Sequence, residues 1–475
     1  MKSKQILVLI LFAAVLLYSC KPLETAQSIK EPVMPAQFSQ SNDTVNSAAA
    51  GWKEFFKDPY LIQLIDSALR NNWDVQIAYQ RMQMSQADVL LTKGALKPRI
   101  DATVTSALRR YGLYTMDGAG NSSTFMLPGK IVPTNLPDYF IGFQSSWEAD
   151  IWGKLKNRKK AALSRFLAST EGRNLVITNL VSEIAQAYFE LQAVDQTIRI
   201  IDETIAVQQR AFDIVQAKKE AAVLNELAVK QFEAQLINLR ALRIEVLQQI
   251  VEIENRINFL AGRYPQAVTR DTLYYLNELP FALHTGVPAS LLENRPDIRQ
   301  ASLQLIAAKA DVAAAKAAFY PSFNITASLG YQAFRPNLLF TTPESIAFTL
   351  VGTMVAPLVN KAAIRAAFNT ANAQQLEAMY QYSKTIVNAF HEVQTEMMRT
   401  KNLQQIYNLK MNESNSLSAS VSIAEELFRT GRATYLEVLY AQQHTLQARL
   451  ELMETKKRQL FSAVHLYKAL GGGWR

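Results

Sequence analysis

The sequence predicts a mainly α-helical protein with a transmembrane β-barrel: long coiled-coil helical hairpins, two tandem repeats, and four strands per chain. Three observations predict it. From Lys154 to about Lys218 apolar residues recur at alternating spacings of three and four, through Ile177, Leu180, Ile184, Ala187, Leu191, Val194, Ile198, Ile201 and Ile205. That is the a/d seam of a helix lying alongside others. Four runs of about ten residues alternate apolar and polar, the length and period of a membrane-spanning strand. Residues 71–103 align without gaps to 294–326, with about ten of thirty-three positions identical, so the chain carries a tandem duplication.

At the N-terminus, Lys2 and Lys4 precede an apolar run from Ile6 to Tyr18, followed by Ser19-Cys20. A basic start and an apolar stretch too short to span a bilayer make an export signal. Cys20 is the only cysteine, and a small residue before it resembles the bacterial lipoprotein processing site. On that reading residues 1–20 are a lipoprotein signal peptide and Cys20 carries a covalent lipid. The alternative is an ordinary signal peptide with an incidental cysteine. Either way one cysteine leaves no internal disulfide framework. Residues 21–50, polar with scattered proline, read as a tether.

The first repeat runs over 51–262. Trp52–Tyr60 leads into a helix from about Leu61 to Leu96. Strands at 99–111 and 139–151 follow, the first with Ile100, Ala102 and Val104 on one face. In the second, Tyr139, Ile141, Phe143, Ser145, Trp147, Ala149 and Ile151 alternate with Phe140, Gly142, Gln144, Ser146, Glu148 and Asp150. A helical hairpin at 154–262 turns near 218–225, its long limb from Lys154 to about Lys218 on the order of 100 Å at about 1.5 Å per residue. An irregular connecting segment, 263–290, holds Pro265, Pro280 and Pro288. The second repeat, 291–475, reads the same way: helix, strands at 322–334 and 345–357, and a helical hairpin at 360–470 turning near 429–434. The glycine- and proline-rich stretches 112–138 and 335–344 read as exposed loops. Soluble hairpins on a core would be the bland reading of the strands; the long apolar faces and the aromatics near strand ends argue against it. Four strands cannot close a membrane barrel, whose smallest examples have about eight. The barrel must therefore be shared between subunits.

Other chemistry is excluded or left open. The chain has 475 residues, 49% hydrophobic and 19% charged, with a net charge of +9. Its basic residues are interspersed with acids along helices, without an aromatic-plus-basic module, so nucleic acid is not a partner. His284, His391, His444 and His465 are scattered, with no HExxH, and point to no metal site. The methionines, Met397-Met398 included, read as packing rather than a copper path. No GxxxxGK[ST], GxSxG or GxGxxG is present, so no catalytic residue is assigned and an enzyme is not expected. The cluster Lys154, Lys156, Arg158, Lys159, Lys160 has two readings, lipid phosphate at the inner rim or a solvated helix face.

Several stretches then resemble one family. Trp52 through Leu61 is similar to its opening W…F.DP.L, and Trp147–Lys154 (WEADIWGK) to its strand-to-helix junction. Ala185–Leu191 (AQAYFEL) resembles its first long helix, and Leu291–Ile298 (LLENRPDI), with Tyr320-Pro321 after it, the start of its second repeat. Phe428–Gly431 and Tyr467–Trp474 (YKALGGGW) resemble its ending. Together they look like the TolC/OprM family of outer-membrane efflux channels, in its lipidated, NodT-like branch. The resemblance implies a homotrimer with a twelve-stranded barrel and six hairpins forming a periplasmic tunnel in the outer membrane of a Gram-negative bacterium. It implies a passive exit duct for drugs or other small molecules, fed by an inner-membrane pump of the RND type through a periplasmic membrane-fusion adaptor. The alternatives are a duct for peptide or protein secretion, and a structural lipoprotein that only spaces the envelope.

The resemblance also places residues. The hairpin tips would meet the adaptor: Ala222, Val223, Leu224 and Asn225 in the first, Gly431, Arg432, Ala433 and Thr434 in the second. The second tip fits the family's Gly–pair–acid-Val pattern through Glu437-Val438. The first departs from it, with Ala222 at the glycine and Ala228 at the acid. Either tip reads otherwise as a simple interhelical turn. Leu436 occupies the position of the family's pore-closing Leu, and Tyr440 stands where an Asp is usual. Tyr440 either narrows the pore as an aromatic ring or packs between helices.

Overall fold

The computed structural model describes residues 34–38, 46–47, 50–271, 284, 286–359 and 361–475. The signal segment with Cys20 and residues 272–283 of the connector lie outside the described residues. The chain divides into two compact units, one built on Met84–Phe166 and Leu303–Met379, the other on Lys30–Gln83, Leu167–Ser302 and Tyr380–Arg475.

Among the described residues three α-helices precede the first strand: α1 (Trp52–Phe55), α2 (Pro59–Asn71) and α3 (Trp73–Gly94). The single helix expected over 61–96 is broken at Asn72, whose extended backbone (ψ 130°) ends α2. Its side-chain oxygen then accepts from the amides of Asp74 and Val75, capping α3. Asp58 does the same for α2, accepting from Tyr60 and Leu61, with Pro59 at the first helical position where its missing N–H is harmless.

Within the first unit, β1 (Arg99–Arg109), β4 (Leu136–Ala149), β5 (Ser322–Ala333) and β6 (Ile346–Val355) form one antiparallel sheet in the order β1-β4-β5-β6. The stretch between β1 and β4, read as a loop, holds a short helix α4 (Met116–Ser123) and a hairpin of β2 (Phe125–Leu127) and β3 (Lys130–Ile131). Thr115 caps α4, a local signal too weak to read without neighbours. β4 begins earlier than its alternating run because Leu136 and Pro137 pair with Arg109 and Leu108. It stops at Ala149, where Asp150 turns to cap the next helix. β6 ends two residues before Pro357, which has no N–H for the ladder.

The long helices are α5 (Lys154–Glu220) and α6 (Glu226–Leu260) in the first repeat, and α9 (Ala362–Arg429) and α10 (Tyr435–Ala469) in the second. The short α7 (Leu291–Asn294) and α8 (Pro296–Ala317) open the second repeat. In the second unit the α5 seam is the core: Leu180, Ile184, Ala187, Leu191, Val194 and Ile201 are buried with Trp52, Phe55 and Phe56 of the N-terminal segment, Ile253 and Ile257 of α6, and Val464 and Tyr467 of α10. Tyr467 stacks on Phe55 at 3.8 Å between ring centroids.

The duplication closes each hairpin in the same way. Gly262, with φ +65°, lies so close to Asn71 that a Cβ would sit 2.4 Å from its carbonyl oxygen; Gly471, φ +95°, would meet Asn294 at 2.7 Å. Beside each glycine a side chain from the next repeat position reaches the hairpin's last turn: Asn72 Nδ2 donates to the Leu260 carbonyl at 2.9 Å, and Arg295 Nη1 to that of Ala469 at 2.8 Å. Asn71 and Asn294, and Asn72 and Arg295, are paired positions in the sequence alignment of the repeats.

Candidate functional site

Register decides what the sheet can do. Ile100, Ala102 and Val104 of β1 stand opposite Ser145, Phe143 and Ile141 of β4. Those continue to Ala327, Leu329 and Tyr331 of β5, which face Leu350, Phe348 and Ile346 of β6. The four alternating runs thus add into a single apolar face. It is bare: Val104 and Phe348 are each 78% exposed. The other face carries Thr103, Thr105, Gln144, Ser146, Ser328, Gln332, Thr349 and Thr353 in the same register. An apolar face against lipid and a polar face toward water is the division that a barrel wall requires. β1 and β6 are the edges of the sheet, with ladder groups that lipid cannot satisfy.

The junction motif builds a corner at one end of this wall. The Asp150 carboxylate accepts from the amides of Leu155 and Lys156 at 2.9 and 2.8 Å, holding the first turn of α5. Trp147 Nε1 donates to Leu96 O, and Trp152 Nε1 to Pro321 O at 2.7 Å, with its ring stacked on Tyr320. Of the basic cluster, Lys154 is paired with Glu148 at 2.5 Å, while Lys156, Arg158 and Lys160 are exposed.

The second-repeat motif is also structural. The Arg295 guanidinium, 8% exposed, holds Asp297 through two hydrogen bonds and Glu392 through a third. Trp474 Nε1 donates to Asn294 O, so the LLENRPDI and YKALGGGW stretches dock on each other. Sequence reading recognised both as signatures and missed that they are two sides of one contact.

The two hairpin turns have the same backbone. Ala222 has φ +57° and Gly431 φ +73°. In the first tip Ala222 N and Val223 N donate to the carbonyls of Lys219 and Lys218; in the second, Gly431 N and Arg432 N donate to those of Phe428 and Leu427. These are helix C-terminal turns that call for glycine, and Ala222 is the one non-glycine residue with positive φ among the described residues. The next helix starts differently in each. Thr434 and Glu437 form a capping box, whereas Asn225 caps α6 alone through Ala228 N at 3.1 Å. The acid that the first tip lacks is thus a capping residue, a role that its spacing from Thr434 could have disclosed. Val215, Ala228, Val229 and Phe232 form a small core on which Leu224, Phe428, Tyr435 and Leu439 pack. Lys218 lies 4.0 Å from the centroid of the Phe428 ring. Val223 is exposed. Leu436 and Tyr440, one turn apart on one face of α10, are 38% and 59% exposed.

Among the described residues no group of three or more His, Cys, Asp or Glu could hold a metal ion, and no helix is long and apolar enough to cross a membrane. Met397 packs against the core of Leu291, Val393 and Leu466.

A four-stranded wall with one lipid-compatible face, joined to helical hairpins in two repeats, defines the class of outer-membrane channel subunits. The family model described as outer membrane efflux protein matches residues 64–263 and 287–472, and the chain belongs to that family. It is similar to the cation efflux system protein CusC of Escherichia coli O6:H1, 29% identical over 462 residues and 95% of each chain. It is similar also to the probable outer membrane lipoprotein SilC of Salmonella typhimurium, 27% identical over 93% of each. A crystal structure of CusC superposes with a TM-score of 0.81 at 26% identity, covering 94% of this chain and 99% of that one. The protein is an outer-membrane efflux component, a transporter and not an enzyme.

Proposed function

We propose that three copies of this chain close a twelve-stranded barrel through β1–β6 pairing and act as the passive exit duct of a tripartite efflux system. The observation that carries this reading is the four-stranded sheet with one apolar face and two edges. Each unpaired backbone group in lipid costs several kcal/mol, and pairing edges between copies satisfies them. On this reading Cys20 carries the covalent lipid, as the name of SilC supports. The two tips, 222–225 and 431–434, dock a periplasmic adaptor coupled to an inner-membrane pump of the RND type. Leu436 and Tyr440 from three copies narrow the pore near the tips. Relatives of similar identity are named for cation, solvent and antibiotic efflux, which supports a duct whose cargo is chosen by the pump.

Single-particle electron microscopy of the detergent-purified protein tests the assembly. A hollow threefold particle is expected, and a monomer or solid rod overturns the proposal. Leu436→Ser tests the constriction: it should raise leakage of large antibiotics into cells, and unchanged leakage removes Leu436 from the gate.

A further inference from the structure

We propose that the outer face of the central strands carries a built site for one acyl chain of a phosphorylated outer-leaflet glycolipid of the lipid A type. A groove of about 600 Å³ runs across this face, walled by Val104, Ile141, Phe143, Leu329, Tyr331 and Phe340. It is a fixed feature rather than a loose annular contact. Phe340 comes from the connection between β5 and β6 and packs edge-on against Tyr331, with centroids 5.6 Å apart at 64°. That connection is tied to itself and to the strand: Ser345 Oγ donates to Leu338 O at 2.5 Å, Ser345 N to Thr341 O at 2.9 Å, and Gln332 N to Ser345 O at 2.8 Å.

The occupant follows from position. The groove crosses the apolar face from Val104 of β1, over Ile141 and Leu329 of the interior strands β4 and β5, to Ile346 of β6; edge pairing runs in the plane of the sheet, so another copy leaves this face uncovered. It continues the apolar face that the membrane already meets. Its lining reaches the end of the sheet away from the helices, where Tyr331 pairs with Ile346. With the helices periplasmic, this is the outer-leaflet end. Arg110 and Arg335 follow the ends of β1 and β5 there, and neither has an ion pair among the described residues; at the same end Arg109 is paired with Asp138 at 2.7 Å and Glu344 is exposed. An apolar wall with two arginines and one exposed acid beyond its end complements an acyl chain beneath a phosphorylated headgroup.

The inference rests on the membrane reading of the sheet, and the test separates the two. Native mass spectrometry of the delipidated full-length protein is titrated with hexa-acylated lipid A and, separately, with phosphatidylethanolamine. One saturable lipid A per chain is expected. Val104→Trp, which fills the groove, and Phe340→Ala, which removes a wall in a loop, should each weaken it at least tenfold; Leu350→Trp, on the same face outside the groove, should not. Equal retention by Val104→Trp and Leu350→Trp overturns the site, as does phosphatidylethanolamine binding equally well. Bilayer conductance is read in parallel. Wild-type protein that conducts but shows no saturable lipid A defeats only this inference; protein that neither inserts nor conducts defeats the membrane reading beneath it.

Discussion

The Tyr188 hydroxyl donates a 2.7 Å hydrogen bond to Asp58 Oδ2, across 130 residues of sequence. Both residues are buried, and Gln192 Nε2 approaches the same oxygen at 3.4 Å. Burial, and then the Asp58 hydrogen bond and charge, push the Tyr188 hydroxyl well above its ordinary range, so it stays a donor at all physiological pH. Because Asp58 also caps α2, one carboxylate fixes the N-terminal segment to the middle of α5. Tyr188→Phe keeps the ring and leaves the carboxylate short of a partner. An expected loss of about 1–3 kcal/mol lowers the thermal unfolding midpoint of the detergent-solubilised protein. An unchanged midpoint would mean that water replaces the hydroxyl.

Ala222 and Gly431 share a left-handed backbone, and only one of them suits it. A left-handed non-glycine residue costs roughly 1–2 kcal/mol, partly offset by glycine's greater freedom when unfolded. Ala222→Gly should therefore stabilise the first tip by about 0.5–1 kcal/mol. Gly431→Ala should destabilise the second by a similar amount, and for the backbone alone, since nothing lies within 4 Å of its absent Cβ. Hydrogen exchange of the amides of Val223 and Arg432, which close the two turns, reads both effects. Shifts of the same sign would refute the shared geometry.

How much of this was legible in the sequence follows from the range of each interaction. The α5 seam and the alternating strands are local periodicities, and the structure buries Ile184 and Leu191 and bares Val104 and Phe348 accordingly. The break at Asn72 was missed because an asparagine within an otherwise helical run carries no local signal until its cap is seen. The contacts between Arg295 and Glu392, or Trp474 and Asn294, join positions 97 and 180 residues apart, and no periodicity encodes them. The repeat alignment paired Asn71 with Asn294, but the glycines that seat on them, Gly262 and Gly471, lie outside the aligned window.

His465 gives the second unit a pH dependence. Burial lowers its pKa below the ordinary 6.5; Glu396 opposes this, and Lys468 and Arg399 reinforce it. The folded state then binds the proton less readily than the unfolded state. Stability from this group is complete above about pH 6.5 and is lost as the pH falls through the folded value. His465→Gln should shrink the difference in unfolding midpoint between pH 8 and pH 5. If variant and wild type lose the same amount on acidification, His465 is not the group responsible.

Gly142 and Gly330 face each other across β4 and β5, and neither position has room for a side chain. A Cβ on Gly142 would lie 2.4 Å from Leu329 O and 2.5 Å from the Gly330 Cα. Both are backbone atoms of the paired strand, so relief requires the strands to part and forfeits ladder bonds that lipid cannot replace. Phe140 lies over the same glycine, its Cζ 2.9 Å from that Cβ position, the aromatic cover often found beside a strand glycine. At Gly352 the nearest atom is the far end of the Phe323 ring at 3.3 Å, which can yield, and at Gly94 nothing is near. The expected order of damage is Gly142→Val well above Gly352→Ala, with Gly94→Ala near neutral. It is read as the fraction of protein recovered folded from outer membranes. Recovery of Gly142→Val at the wild-type level would show that the β4–β5 ladder is not what holds the wall together.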